Sequence, residues 1–402
     1  MRFRYLFFAI TLILFLSAES SNPVVTPPAV AAPELVQRER RPEPPPPAPR
    51  GRTPAELPPV VEPEKPNVTV NYFPNIPESE TLRLTIGSTT QWNSAITQIR
   101  QQTQYKAFIL TLDSSVQLSG TYQHTPTFRQ GVSVAINGIG QIAQSSFPYG
   151  GSLLVISNST LIIDGDINLR GLHNNRSPLI HLIMNSTFEL RNGELRGHTG
   201  GGHGNDGAVA IYRQSNFIMS GGTINGFREI VNGIVYISSG SFTMSGGTIT
   251  DNTSRRGGAV SLHNGGIFTM TGGTITGNSA FAYAGTDGFG GGVYMEGGKF
   301  TMTGGTITGN TAKYGGGVYV KLAFGELNIS GGTINGNTAS EGEKAGPMVF
   351  FEHRVNDANR IRGVYYRSVP INPSDRLEIE SSANPRGLPT ISGQTLSGWT
   401  RQ

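Results

Sequence analysis

An eleven-residue motif recurs in the second half of the chain and limits the possible folds more than any other feature. Its complete form, F-T-M-T-G-G-T-I-T-G-N, occupies residues 268–278 and 300–310, and variants begin at Phe217, Phe242 and Leu327. The second glycine of the copies stands at Gly222, Gly247, Gly273, Gly305 and Gly332, in steps of 25, 26, 32 and 27 residues. A period in this range indicates stacked repeats, each one a small structural unit.

Each repeat is predicted to contain short β-strands. In the copy that begins at Phe242, Phe242 and Met244 lie two residues apart, and this alternation is typical of a strand with one buried face. A second strand precedes each copy, as in Val235-Tyr236-Ile237, with Tyr236 facing outward. A helix would not tolerate the glycines, because each costs about 1 kcal/mol relative to alanine. A strand this short must pair with another strand, and the equivalent strand lies one repeat further along the chain. We therefore expect equivalent strands to pair in parallel about 4.8 Å apart, which gives an all-β parallel β-helix, or solenoid.

The residues between the strands fit tight corners. Gly-Gly before Thr-Ile suits a backbone with positive φ, and the Gly-Asn that follows suits a left-handed corner. Because the Asn of one repeat would stack on the Asn of the next, their side-chain amides could form a hydrogen-bonded ladder.

The N-terminal segments precede the repeats and differ from them in composition. Residues 1–20 are predicted to be an export signal peptide, since a basic head precedes an apolar run from Tyr5 to Leu16 and small residues follow. An uncleaved membrane anchor is the alternative. Residues 21–66 contain 15 of the 25 prolines, which predicts a disordered, extended linker. The linker would act as a spacer or, alternatively, as a ligand for a proline-binding partner.

Three further segments complete the predicted organisation. Residues 67–130 are expected to form an N-terminal cap with first strands and one helix over Thr90–Thr103, whose Trp92, Ile96 and Ile99 share one face. Residues 131–352 would hold the β-helix repeats, and residues 353–402 a C-terminal cap or tail.

The repeats resemble those of a known group. Coils of the type G-G-G-V-Y-V followed by F-T-M-x-G-G-T-I-T-G-N are similar to right-handed parallel β-helix proteins of the pectin-lyase-like architecture. Gly257-Gly258-Ala259-Val260 matches the G-G-A-[ILV] element of bacterial surface proteins with polymorphic outer membrane protein repeats. The resemblance covers about residues 130–350 and implies a single-stranded, right-handed β-helix. The lone helix that precedes the repeats is most simply a cap over the first open end of the core. The resemblance implies little about activity, because such folds carry lyases, hydrolases and adhesins alike.

Candidate catalytic residues are few. Gly202-His203-Gly204-Asn205-Asp206 contains a G-H-G that resembles one polygalacturonase motif, but the companion acidic motifs of that family are missing. Asp164 and Asp166 would share a face, yet no second acid is placed to complete an acid–base pair. We favour the simpler interpretation that His203 and Asp206 belong to a glycine-rich surface loop at 199–207 inserted between coils. The sequence therefore predicts no catalytic residue.

Two candidate binding features remain. The first is an outward array of threonines on consecutive repeats, which resembles the ice-binding faces of some β-helical antifreeze proteins but is also ordinary for exposed strands: Thr248, Thr250, Thr274, Thr276, Thr306 and Thr308. The second is the long loop from Ser279 to Gly290, which carries Phe281, Tyr283 and Phe289. Aromatic rings on such a loop could contact sugar rings or a partner protein, or pack against the flank of the coil.

Composition narrows the function further. The net charge is +4, but Lys and Arg are scattered and do not form the basic patch that nucleic-acid binding requires. Cysteine is absent, and no metal-binding or cofactor motif occurs. We expect an exported, non-enzymatic structural or adhesive protein of the periplasm or cell surface that binds glycan or protein and touches the membrane through its N-terminal segment alone. A polysaccharide lyase or glycoside hydrolase is the first alternative and an ice or crystal binder the second, while the oligomeric state stays open.

Overall fold

The structure of the protein is a computed structural model. It describes residues 70–119, 125–146, 151–173, 175, 177–197, 207–283, 288–322, 325–341, 346, 348–355, 360–367, 377–379 and 399–401. The predicted signal peptide and proline-rich linker lie outside these residues.

The described chain forms a parallel β-solenoid of about nine turns, which confirms the parallel β-helix predicted from the repeats. Strands are labelled in chain order. The first sheet contains β1 (Thr81–Ile86), β2 (Ala107–Leu112), β3 (Val116–Ser119), β4 (Ser133–Ser146), β6 (Thr160–Arg170), β8 (Thr187–Leu190), β9 (Glu194–Arg196), β11 (Asn216–Met219), β12 (Thr223–Asn225), β14 (Ser241–Met244), β15 (Thr248–Thr250), β18 (Ile267–Met270), β19 (Thr274–Thr276), β22 (Gly298–Thr308), β25 (Gly325–Asn335) and β29 (Leu377–Ile379).

Two further sheets complete the solenoid, and the third of them spans four coils. The second contains β5 (Leu154–Ser157), β7 (Ile180–Ile183), β10 (Val209–Tyr212), β13 (Val235–Ser238), β17 (Val260–His263), β21 (Val293–Met295), β24 (Val318–Leu322), β27 (Val349–Val355), β28 (Arg360–Arg367) and β30 (Trp399–Arg401). The third contains β16 (Thr253–Ser254), β20 (Ser279–Ala280), β23 (Thr311–Ala312) and β26 (Thr338–Ala339). Neighbouring coils pair in parallel, whereas β28, β29 and β30 add antiparallel strands after the last coil.

The core is built from identical side chains stacked along the solenoid axis. Phe242 pairs in register with Phe268, and Met244 with Met270, in the next coil. The rings of Phe188, Phe217, Phe242, Phe268 and Phe300 form one continuous stack, with neighbouring centroids 4.6 to 5.0 Å apart. These rings are fully buried, so each coil completes the apolar surface that its neighbour needs.

Before the repeats, a 3-10 helix (Glu78–Glu80) precedes β1, and one α-helix, α1 (Thr89–Gln101), follows it. The side chain of Ser88 caps α1 by accepting a hydrogen bond from the backbone N–H of Gln91. Trp92, Ile96 and Ile99 are buried and join the main core. These three residues therefore share the buried face that the sequence predicted for them.

Candidate functional site

Sixteen outward residues of four consecutive coils form a polar surface, which we call the hydroxyl face. It consists of four files that run along the solenoid axis and whose members pair in register from coil to coil: Thr243, Thr269, Thr301 and Asn328; Thr248, Thr274, Thr306 and Thr333; Thr250, Thr276, Thr308 and Asn335; Thr253, Ser279, Thr311 and Thr338. The face bends at the Gly-Asn corner, because three of its files lie on the first sheet and the fourth lies on the third sheet. The six threonines singled out in the sequence all belong to the two middle files.

The hydroxyl face is uncharged and open to solvent. It contains thirteen Thr, one Ser and two Asn, and none of the sixteen residues is buried. Lys299 and Glu326 flank the first file and pair with each other, with Lys299 Nζ 2.6 Å from Glu326 Oε1. One acid, Asp251, stands at the corner between Thr250 and Thr253 of the first coil, where Arg228 Nη2 lies 2.7 Å from its Oδ1. Within the face, Thr311 donates a hydrogen bond to the Ser279 hydroxyl at 3.0 Å across the coil boundary.

Buried asparagines hold the same four coils together. The side-chain amide of Asn252 donates to Oδ1 of Asn278 at 2.9 Å, Asn278 donates to Asn310 at 3.0 Å, and Asn310 donates to Asn337 at 3.0 Å. Each amide also donates to a strand carbonyl of the preceding coil, as Asn278 does to Ile249 at 2.9 Å. The predicted asparagine ladder is confirmed, and it fixes the corner between the third and fourth files of the hydroxyl face.

The three aromatic residues of the long loop occupy different environments. Tyr283 is 52% exposed, and the guanidinium carbon of Arg255 lies 3.7 Å from the centroid of its ring. Phe281 is half-buried, and its backbone N–H donates to the carbonyl of Ser254. Phe289 packs on the flank of the solenoid, 4.7 Å from the ring of Tyr319. Tyr283 is thus the loop aromatic that is most open to a ligand.

Asp164 and Asp166 are the candidate acids that the structure describes, and among the described residues they form no group of three His, Asp or Glu side chains that could hold a metal ion. Asp166 is exposed, and Asp164 is half-buried beside Asn137 of the preceding coil. The phenol of Tyr72 accepts a hydrogen bond from Asn137 at 3.2 Å, and Arg191 lies over its ring at 5.7 Å. Burial raises the pKa of Tyr72, and the negative charge of Asp164 raises it further. Asp164 thus belongs to the polar contacts that surround Tyr72.

Tyr72 is part of an N-terminal segment that packs on the outside of the first coils. Tyr72 and Phe73 are buried against outward-facing apolar residues of β2, β4 and β6: Ala107, Ile109, Ala135 and Ile162. Sequence reasoning missed this contact, although Ala and Ile at outward strand positions are a signal that another segment covers them.

An outer aromatic cluster was also missed. The prediction that the tyrosines of the second sheet face outward holds, but Tyr294 and Tyr319 are only 2% exposed. They pack with Phe350, and the half-buried Phe289 and Tyr314 cover them. Glycine at position 290 allows Phe289 to cover the tyrosines. Gly290 has a φ of +68°, and a Cβ at this position would lie 2.3 Å from the carbonyl oxygen of Val293. The chain can therefore turn back over its own strand.

Side chains from three neighbouring coils of the second sheet form a small polar network: His263, Glu296 and Lys321. Nδ1 of His263 lies 3.0 Å from Oε2 of Glu296, and Lys321 forms an ion pair with the other carboxylate oxygen. The hydrogen bond from His263, together with the contact to Lys321, lowers the pKa of Glu296 to about 2. These residues couple neighbouring coils electrostatically.

His203 and Asp206 lie outside the described residues. Among the described residues, no group of three or more His, Asp or Glu side chains could hold a metal ion. In the same part of the chain, no helix combines the length and the apolar character needed to cross a membrane.

Comparison with protein-family models, with curated protein sequences and with solved structures gave no match to this chain.

Proposed function

We propose that the protein is an exported, non-enzymatic, structural or adhesive β-helix protein of the cell surface or periplasm, and that it binds a glycan or a protein through the hydroxyl face. The observation that carries the proposal is the register of the four files, which brings sixteen half-exposed or exposed polar residues into one uncharged surface. A rigid scaffold with a repeated outward surface is the usual binding arrangement of solenoid proteins.

Export and architecture belong to the same proposal. The basic head and apolar run of residues 1–20 support secretion, and the prolines of residues 21–66 support a spacer that holds the solenoid away from its anchor. The G-G-G-V-Y and F-T-M-x-G-G-T-I-T-G-N elements support a right-handed, pectin-lyase-like helix related to polymorphic outer membrane protein repeats. The burial of Trp92 and Ile99 in the main core supports a capping role for α1.

The arrangement of the acids supports a role without catalysis. A glycoside hydrolase needs two carboxyl groups about 5 to 10 Å apart across the scissile bond. Asp164 is instead surrounded by Tyr72, Asn137 and Arg191, which supports a structural role for this carboxylate.

The proposal is tested with the full chain on a glycan array and on intact cells, with a parallel assay for release of reducing sugar or unsaturated products. We expect retention without turnover, and weaker retention for Thr274→Lys, which places a long cation in the middle of the face. Turnover that is lost in His203→Ala or Asp206→Ala would refute the non-enzymatic role. Thermal hysteresis in ice, lost in Thr274→Tyr, without binding to any glycan or cell would replace the proposal with an ice-binding function.

A further inference from the structure

We infer that the ligand of the hydroxyl face is an uncharged, linear polysaccharide that lies along the solenoid axis, with one sugar ring stacked on Tyr283. The inference rests on the proposed function and narrows it to one class of ligand. It follows from three properties of the surface: its chemistry, its geometry and the aromatic ring at its margin.

The chemistry of the face argues against other classes of ligand. Nucleic acids and acidic polysaccharides are bound by clustered Lys and Arg, and none of the sixteen residues is charged. Protein interfaces depend on several Trp, Tyr, Arg or large apolar anchors near their centre, whereas the face itself consists of Thr, Ser and Asn and the Arg255–Tyr283 pair stands at its margin. Membrane surfaces require basic and apolar side chains together. The hydroxyl and amide groups of the face instead suit a neutral ligand that is rich in hydroxyl groups.

The geometry of the face fits a polymer. The Thr248 file presents the same side chain in four successive coils, and equivalent strands lie about 4.8 Å apart, so the face extends about 14 Å along the axis. Each threonine offers a hydroxyl that donates and accepts and a methyl group that packs against carbon. Such a row can contact consecutive sugar units of an extended chain in equivalent ways.

The face is also pre-organised. Threonine is stiff about χ1 because it is β-branched, and the Asn252–Asn337 ladder fixes the backbone between the third and fourth files. Binding to ordered side chains loses little conformational entropy, so many weak hydrogen bonds can add up to a measurable affinity.

Tyr283 provides an aromatic ring on which one sugar ring of the ligand would stack. Arg255 follows Thr253 by two residues, so the pair of Arg255 and Tyr283 lies at the margin of the fourth file. The guanidinium group over the ring of Tyr283, at 3.7 Å, orients an aromatic side chain that is 52% exposed. An aromatic ring held in this way can pack against the C–H groups of a sugar.

The test is affinity electrophoresis of the full chain in gels that contain a neutral glucan, a galactomannan, polygalacturonate or heparin. We expect at least one neutral polysaccharide to retard the protein and neither acidic one to do so. Thr274→Lys and Tyr283→Ala should each raise the dissociation constant at least tenfold. Tyr283→Phe should retain binding because it keeps the aromatic ring. Thr187→Lys should also retain binding, because Thr187 is a half-buried outward residue on β8 that lies away from the face.

The outcomes separate this inference from the proposed function. Retardation by polygalacturonate or heparin alone would overturn the neutral ligand class, while glycan binding itself would stand. Binding to a neutral polysaccharide that survives both Thr274→Lys and Tyr283→Ala would place the ligand elsewhere and overturn the inference. If no polysaccharide binds, but intact cells bind the wild type and bind Thr274→Lys more weakly, the ligand is a protein. The inference then fails, while the proposed binding through the hydroxyl face stands.

Discussion

The side-chain amide of Asn278 donates a hydrogen bond to Oδ1 of Asn310, one coil further along the solenoid, at 3.0 Å. Its own Oδ1 accepts from the amide of Asn252 at 2.9 Å, so the interaction passes through the corner of each successive coil. These amides are buried, and a buried polar group that loses its partner costs about 1–3 kcal/mol. Removal of one asparagine from the ladder should therefore destabilise the fold.

Asn278→Ala should lower the free energy of unfolding by about 2–5 kcal/mol, because it removes two buried hydrogen bonds, the one that the Asn252 amide donates to Asn278 and the one that Asn278 donates to the Ile249 carbonyl. Urea denaturation followed by circular dichroism measures the loss. Asn335→Ala, at a half-exposed position of the hydroxyl face, is the matched control and should change stability by less than about 0.5 kcal/mol. Equal effects of the two variants would show that the ladder contributes nothing.

Phe268→Ala should destabilise the protein by about 3–5 kcal/mol, because it leaves a cavity between the rings of Phe242 and Phe300. Ile267 precedes Phe268 on the same strand but is 45% exposed, so Ile267→Ala should be nearly neutral. Thermal and urea unfolding of both variants test the alternation directly. A larger loss in Ile267→Ala would contradict the strand register.

Glycine substitutions separate backbone strain from steric clash. Gly265 has a φ of +76°, and a Cβ added there would meet nothing within 4 Å, whereas a Cβ on Gly290 would lie 2.3 Å from the Val293 carbonyl oxygen. Gly265→Ala should cost about 1–2 kcal/mol, the strain of a left-handed residue. Gly290→Ala should cost clearly more and should expose Tyr294, as measured by near-UV circular dichroism. Equal losses would mean that the chain does not turn back over its strand at Gly290.

The pKa of Glu296 predicts how acid affects stability. Its value of about 2 in the folded protein lies below the ordinary 4.5, so the ionised carboxylate favours the folded state. This contribution is fully present above pH 4.5 and is lost as the pH falls from 4.5 to 2. Glu296→Gln should therefore reduce the fall of the urea midpoint between about pH 5 and pH 2. A fall as steep as in the wild type would show that the contacts with His263 and Lys321 do not stabilise the fold.

The repeat in the sequence was enough to predict the solenoid, because Phe242, Met244 and their equivalents can be buried only against copies of themselves. The asparagine ladder and the two middle threonine files followed from the same alignment, whereas the first and fourth files were not singled out. The cover formed by Tyr72 and Phe73 could not be predicted in detail, since a contact between the start of the chain and β2, β4 and β6 has no local pattern that names the partner. The outer aromatic cluster was hidden for a related reason: outward tyrosines look exposed until a glycine corner folds Phe289 over them.

The central claim is that the ligand lies on the hydroxyl face, and carbene footprinting of the full chain tests it most directly. Labelling is compared with and without the neutral polysaccharide that retards the protein most strongly in the gel assay. We predict reduced labelling of residues 269–279, 301–311 and Tyr283, with residues 154–183 unchanged. Reduced labelling on the second sheet instead, at Tyr212 and Tyr236, or no polysaccharide-dependent change at all, would contradict this placement of the ligand.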